Sequence, residues 1–159
     1  MRLSANFDEQ RNYRFCLTRE WDLGLPRLLY IMLNPSTASE STEDQTSKQC
    51  LYFAKELGFG SLEIVNLYSF ISSDPTALKD SVDPIGIDND KHIIEAAKRS
   101  NKIVIAWGER HFFNNRNTYV IEFLKQNGYE IYCLKKAKSG HPRHPSRLKH
   151  DISELIRFE

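Results

Sequence analysis

Hydrophobic positions along the chain fall into short runs separated by polar segments. Residues 13–19 alternate large apolar with polar side chains, which is typical of a half-buried strand. Residues 27–33 are almost all apolar, as in a strand that is covered on both faces. The turn-forming residues 22–26 lie between them, and we therefore predict that the two strands pair as a hairpin.

Three further apolar runs have strand character, and they alternate with segments of helical character. The predicted strands cover residues 62–67, 103–107 and 129–134. The predicted helices cover residues 47–57, 92–99, 118–126 and, as a short amphipathic helix, 147–156. A long polar loop at 69–88 precedes the second helix, which Asp88 or Asn89 is expected to cap.

Strands that alternate with helices indicate a parallel sheet with helices on both faces. We predict a single α/β domain over residues 1–159, with three layers (α/β/α) around a central four-stranded parallel sheet. An extra antiparallel strand is expected near the N-terminus. Because crossovers are right-handed, the four core strands point the same way and their carboxyl ends share one edge. Ligands of open α/β folds bind at that edge.

Composition excludes some classes of protein. The formal net charge of +1 argues against a protein that coats nucleic acid or a membrane through bulk charge. The cysteines, Cys16, Cys50 and Cys133, are few and widely spaced, which disfavours a disulfide framework or a zinc knuckle. We expect no metal and no cofactor. The chain shows no signal-peptide core and no apolar run of membrane-spanning length, so we expect a cytoplasmic protein, with a monomer favoured.

Polar side chains stand at the ends of the first two predicted core strands. The first is followed by Asn34, Pro35, Ser36 and Thr37, a stiff turn that offers an amide and two hydroxyls. Asn66 ends the second, where a buried amide is costly unless it is bonded. Its donor-plus-acceptor edge suits another amide, such as that of a pyrimidine ring. The alternatives are a turn whose Asn bonds its own backbone, and a structural Asn that ties down the long loop.

The third and fourth strands end in equally unusual segments. Gly108 allows close approach after the third strand, while Trp107 is either a stacking platform or, more commonly, a core residue. The fourth is followed by a segment rich in His, Pro and Arg. There, His144 is a candidate to move a proton or stabilise an anion, whereas Arg143 and Arg147 fit phosphate groups. A cluster of basic residues in this region is equally consistent with a solvated face: Lys135, Lys136, Lys138, Arg143, Arg147 and Lys149.

Several well-known site motifs are missing from the sequence. There is no Gly-x-Ser-x-Gly elbow, no Gly-x-Gly-x-x-Gly loop and no Walker A loop, which disfavours a Rossmann dehydrogenase or a P-loop hydrolase. His141 and His144 have H-x-x-H spacing, but no nearby thiol or carboxylate completes a zinc site.

Two family resemblances rest on these segments. The sequence is similar to a bacterial domain-of-unknown-function family, number 1643, which implies no activity. The matching stretches are 32–38, 66–69, 84–86 with 89–90, 106–108 and 142–145. More remotely, it resembles the uracil-DNA glycosylase superfamily, whose motifs close successive strands in the same order. The stretches that carry this resemblance are 33–35, 64–66, 105–108 and 144–148.

The glycosylase resemblance implies a fold and a set of roles. Asn34 would hold the attacking water, Asn66 would read the pyrimidine, and His144 would stabilise the charge on the departing base. Arg147 or Leu148 would enter the duplex as the base flips out. Further residues expected to contact the ligand or its phosphates are Pro35, Ser36, Thr37, Tyr68, Trp107, Gly108, Arg143, Ser146 and Lys149. Candidates for stacking on the base are Tyr52, Phe53 and Tyr68.

Three functions remain open from the sequence. The first is a DNA glycosylase-like hydrolase of an N-glycosidic bond, weakened by the absence of a carboxylate from the Asn34 turn. The second is a non-catalytic module that binds a nucleotide or nucleic acid. The third is a hydrolase or transferase of a small phosphorylated metabolite. DNA or a nucleotide is the expected partner in the first two, and fold resemblance alone does not decide among them.

Overall fold

Seven strands form one sheet in the computed structural model, which describes residues 1–159. The strands are β1 (Arg2–Phe7), β2 (Arg14–Glu20), β3 (Arg27–Met32), β4 (Ser61–Asn66), β5 (Lys102–Ile105), β6 (Tyr132–Cys133) and β7 (Ile156–Arg157). The helices are α1 (Gln45–Glu56), α2 (Asn89–Arg99) and α3 (Arg116–Gln126), with 3-10 turns at Pro75–Asp80 and Pro145–Arg147. The mixed α/β class predicted from the sequence is confirmed.

Strand β3 lies inside the sheet, whose order is β1-β2-β4-β3-β5-β6-β7. It pairs in parallel with β4 and β5, and β5 pairs in parallel with β6. Strand β2 pairs antiparallel with both β1 and β4, so an antiparallel strand near the N-terminus is present. The predicted hairpin between β2 and β3 is wrong, because β4 lies between them. The hairpin partner of β2 is β1, whose few apolar side chains gave no strand signal.

The side chains of the inner strands alternate between two hydrophobic clusters. Leu28, Tyr30 and Met32 join the cluster that contains the buried side chains of α1. Leu29 and Ile31 join the cluster that contains those of α2 and α3. Because successive strand residues point to opposite faces, α1 packs on one face of the sheet and α2 and α3 pack on the other. All six residues of β4 are buried, as expected for a strand with both faces covered.

Two sequence predictions near helix ends are wrong. The segment 147–156 forms no helix: after the Pro145–Arg147 turn the chain is irregular until β7 pairs with the edge of β6. At the start of α2, neither expected residue caps with its side chain. Asp88 sits in a left-handed conformation (φ 65°) without a capping bond, and Asn89 donates instead to the carbonyl oxygens of Asn66 and Leu67.

None of the helices has both the length and the apolar character that crossing a bilayer requires.

Candidate functional site

Two adjoining cavities open where the parallel strands end. The outer cavity has a volume of about 610 Å³ and is lined by Leu33, Asn34, Pro75, Trp107, Gly108, Glu109, Arg110, His111, Arg143, His144, Ser146 and Arg147. The inner cavity has a volume of about 40 Å³ and is lined by Arg14, Leu17, Met32, Asn34, Ser36, Ala38, Asp44, Thr46, Ser47, Ile64, Asn66 and His144. Asn34 and His144 line both cavities and therefore join them.

The amide of Asn34 is held by the loop that the sequence left unexplained. Its Nδ2 donates to the carbonyl oxygens of Ser72 at 2.8 Å and Pro35 at 3.0 Å. The backbone N–H of Ser72 donates in return to the Pro35 oxygen at 3.0 Å. These bonds fix the amide orientation, since both use the nitrogen. Oδ1 has no protein donor and remains an acceptor at the junction of the two cavities.

Asn66 is the last residue of β4 and is 1% exposed. Neither Nδ2 nor Oδ1 of its side chain has a hydrogen-bond partner in the protein, although the residue lines the inner cavity. A buried polar group without a partner costs about 1–3 kcal/mol, and folded proteins contain few of them. The Asn66 amide is therefore free to bind a ligand edge that offers one donor and one acceptor.

His144 presents one ring nitrogen to the protein and keeps the other free. The backbone N–H of Ser146 donates to Nδ1 at 3.2 Å, and the Ser146 hydroxyl lies 2.9 Å from the same atom. Burial lowers the pKa of His144 below its ordinary 6.5, although the charge of Asp44 opposes this. The neutral ring that accepts at Nδ1 carries its proton on Nε2, which makes Nε2–H a donor for a ligand.

Backbone contacts bring the late segment to the end of β5. Gly108, at φ +86°, donates its N–H to the Pro142 oxygen at 3.0 Å. A Cβ on Gly108 would lie 3.6 Å from the Cβ of His144, in ordinary contact, so glycine is needed here for its conformation. On the other side, Gln49 of α1 donates from Nε2 to the oxygens of Pro145 at 2.9 Å and Leu148 at 3.2 Å.

The other histidines of this region have structural contacts. His150 lies 2.8 Å from the Gln49 Oε1 and stacks on Tyr52 at 3.6 Å between ring centroids. His141 lies beside Phe112 and lines neither cavity. No group of three or more His, Cys, Asp or Glu side chains is placed to hold a metal ion.

Sequence reasoning missed two charged residues of the inner cavity. Arg14 begins β2 and is 4% exposed, and burial lowers its pKa to about 10. Asp44 caps α1, with Oδ1 accepting the Ser47 N–H and Oδ2 accepting the Ala38 N–H. Strict alternation along β2 would place Arg14 and Leu17 on opposite faces, yet both line this cavity. The register of β1 against β2 shifts at this point, between the pairs Asn6–Cys16 and Phe7–Arg14.

The family comparison agrees with the first of the two resemblances. The model of a protein family of unknown function, DUF1643, matches residues 14–146. The chain belongs to this family. No curated protein and no solved structure matches the chain.

In this DUF1643 chain, most of the predicted site residues do come together. Those that line one or both cavities are Asn34, Ser36, Asn66, Trp107, Gly108, Arg143, His144, Ser146 and Arg147. Pro35 is buried beneath the turn, and Thr37 is exposed beyond it. Tyr68 lies in the core, where its hydroxyl bonds to the backbone of Phe113 and its ring stacks on that residue at 4.4 Å. This position corrects the expectation that Tyr68 contacts a ligand.

The outer cavity also contains residues that the sequence analysis did not select. Arg110 and His111 come two and three residues after Gly108, so their position after a core strand was the available signal. Pro75 comes from the long loop, whose path no local pattern predicts. Together with Arg143 and Arg147, Arg110 makes this cavity rich in cations, and Glu109 is its one acidic residue.

Proposed function

We propose that this protein recognises a nucleobase of DNA or of a nucleotide at the inner cavity and hydrolyses its N-glycosidic bond. The observation that carries the proposal is the buried Asn66 amide, whose donor and acceptor are both free beside the Nε2–H of His144. A pyrimidine edge offers the matching acceptor and donor. Burying that edge would provide the partners that the Asn66 amide lacks.

The topology supports the part of this proposal that gives the chain a fold like that of the uracil-DNA glycosylase superfamily. Strands β4, β3, β5 and β6 are parallel, and helices cover both faces of this part of the sheet. In this proposal they form the four-stranded centre of a three-layer α/β/α fold. Asn34 and Asn66 then follow or end strands, and His144 lies in the segment after β6, as the water-holding, base-reading and charge-stabilising residues of that superfamily do.

The chemistry would rest on charge stabilisation rather than on a strong base. Asn34 Oδ1 would orient a water towards C1′ of the sugar. As the C1′–N bond breaks, its electron pair stays with the base, and the His144 Nε2–H donates to the base oxygen on which the charge develops. Asn34 cannot take up a proton, so the water proton passes to solvent and the released base is protonated there.

The sizes of the two cavities suggest that each would hold a different part of the ligand. The inner cavity, at about 40 Å³, admits the edge of a ring. The outer cavity, at about 610 Å³, lies within the range of small-molecule sites, roughly 300–1,000 Å³. The guanidinium groups of Arg110, Arg143 and Arg147 would bind phosphate oxygens there, because planar forked donors match them.

Base release from defined oligonucleotides tests the proposal. Single- and double-stranded oligonucleotides that carry uracil, hypoxanthine or a thymine mismatch are incubated with the protein, and abasic sites are measured. We expect release by the wild-type protein, with loss of release in His144→Ala and Asn66→Ala. His141→Ala is the matched control, since it lies in the same segment and lines neither cavity. Absence of release from every substrate would refute hydrolysis.

One observation favours a second function, recognition without hydrolysis. The Asn34 turn carries no carboxylate to activate a water, and Asp44, the acid of the inner cavity, already accepts one backbone N–H bond at each oxygen. Such a module would show thermal stabilisation by a nucleotide, lost in Asn66→Ala, but no abasic sites. A ligand at tenfold its Kd adds only about 1.4 kcal/mol, so the ligand must be in excess.

A further inference from the structure

Three arginines of this chain are buried, and one of them lacks an acidic partner. Arg19 is fully buried and lies 2.6 Å from Glu43, and Arg116 lies 2.6 Å from Asp90. Arg14, which is 4% exposed, makes one side-chain hydrogen bond, from Nη1 to the Ala38 oxygen at 3.0 Å. Its Nε has no partner, and it forms no ion pair. Buried cations are normally paired, so Arg14 departs from the pattern that this chain otherwise follows.

The acidic residue that lines the same cavity as Arg14 forms hydrogen bonds with the backbone instead of an ion pair with Arg14. Asp44 lines the same cavity, but its two oxygens accept the backbone N–H groups of Ser47 and Ala38. Its charge raises the pKa of Arg14, whereas the stronger effect of burial lowers it to about 10. Arg14 therefore stays cationic at neutral pH.

Among the amide, imidazole and guanidinium groups of the inner cavity, the free hydrogen-bond donors outnumber the free acceptors. The free donors are the Arg14 Nε–H, the Asn66 Nδ2 and the His144 Nε2–H, whereas the free acceptors are the amide oxygens of Asn34 and Asn66. A plain pyrimidine edge would bond to Asn66 and leave Arg14 without an ion-pair partner. A compact anionic group would use the extra donor and neutralise the charge.

We propose that the inner cavity is a subsite for a carboxylate carried by the ligand's base, and that Arg14 recognises it. This inference rests on the proposed function for the base, but the anion subsite itself does not require hydrolysis. The small volume favours a planar carboxylate over a phosphorylated sugar, which the outer cavity can accommodate. A buried site built around a charged donor discriminates strongly against a ligand that leaves it unpaired.

Calorimetric titration with matched ligands tests the subsite. Uracil, 5-carboxyuracil, 6-carboxyuracil and acetate are titrated into the full-length protein. We expect one carboxylated base to bind about tenfold or more tightly than uracil, with acetate competing, since hydrogen bonds to charged groups are the stronger ones. Arg14→Gln should remove this preference, and Arg14→Lys should keep part of it. Arg2→Gln is the control, because it removes a cation from an exposed side chain on β1.

The outcomes separate this inference from the proposed function. If uracil binds in an Asn66-dependent way and the carboxylate adds no affinity, the anion subsite is overturned and base recognition stands. If acetate alone binds, and only with Arg14 present, the subsite stands and base recognition fails. If Arg14→Gln does not fold, the preference of the wild-type protein for carboxylated over plain uracil decides; equal affinities overturn the subsite.

Discussion

Replacing Asn66 by leucine should make the unliganded protein more stable. The change keeps a side chain of similar size but removes the two polar atoms that have no partner in the protein. The new methyl groups would face the apolar side of the inner cavity, which Leu17, Met32 and Ile64 provide. A destabilised functional residue of this kind is common where a site is prepared for a ligand.

The magnitude follows from the desolvation of the amide. An unpartnered buried donor or acceptor costs about 1–3 kcal/mol, and Asn66 has one of each. The inner cavity has room for water, which needs about 10–15 Å³ of this volume, so solvation offsets part of the cost. We therefore expect Asn66→Leu to raise the free energy of unfolding by about 1–3 kcal/mol. For a domain of this length, each kcal/mol raises Tm by about 2–4 °C.

Asn89 provides a matched control for this experiment. It is also 1% exposed, but its Nδ2 donates to two backbone oxygens. Asn89→Leu should therefore lower stability by about 1–3 kcal/mol, the opposite sign from Asn66→Leu. Urea denaturation of both variants, with base binding measured in parallel, checks the difference. If Asn66→Leu is as destabilising as Asn89→Leu, the Asn66 amide supports the fold and the argument for a prepared ligand site is refuted.

Three other changes test the surrounding structure. Glu63 is 1% exposed and ion-paired with two arginines, so Glu63→Gln should lower the free energy of unfolding by about 2–4 kcal/mol. The loss is somewhat smaller than for a fully buried pair, because one of the arginines is half exposed. Urea denaturation measures this loss, and an unchanged stability would contradict the prediction. Gln49→Ala should lower the free energy of unfolding by about 1–3 kcal/mol, because it removes two hydrogen bonds to the backbone of the late segment. It should also weaken base binding, although Gln49 lines neither cavity. An unchanged affinity would show that the late segment holds its position without Gln49. The lowered pKa of His144 means that the unfolded chain binds more protons between that pKa and 6.5, so stability rises with pH through this window and is lost as the pH falls. In His144→Gln, the free energy of unfolding should rise less steeply with pH in this window, because only His92, whose pKa is also lowered by burial, still contributes there. An unchanged slope would contradict this prediction.

Hydrophobic patterning was sufficient for the part of the fold that positions the strand ends. Strands β3, β4 and β5 are buried on both faces, and a continuous apolar run is visible without knowledge of their neighbours. Their parallel direction then placed Asn34 and Asn66 at one edge. The cavities that the structure shows there contain both residues.

Contacts between distant parts of the chain determine the features that the local hydrophobic pattern did not predict. The position of β2 depends on its antiparallel contact with β4, more than forty residues later in the chain. Arg14, at the start of β2, lines the inner cavity together with Ile64 and Asn66 of β4. At the other end, the amphipathic spacing of 147–156 favoured a helix. The structure instead satisfies the backbone oxygens of Pro145 and Leu148 through Gln49, a tertiary contact that local spacing does not encode.

The arginines of the outer cavity have a kinetic consequence for a chain whose net charge is only +1. Arg110, Arg143 and Arg147 form no ion pairs, whereas the acidic Glu63 and Glu43 are each paired with arginine elsewhere. Positive potential is therefore concentrated at the mouth of the site. Anionic ligands should be steered there, so that their association rate falls as ionic strength rises while their dissociation rate changes little.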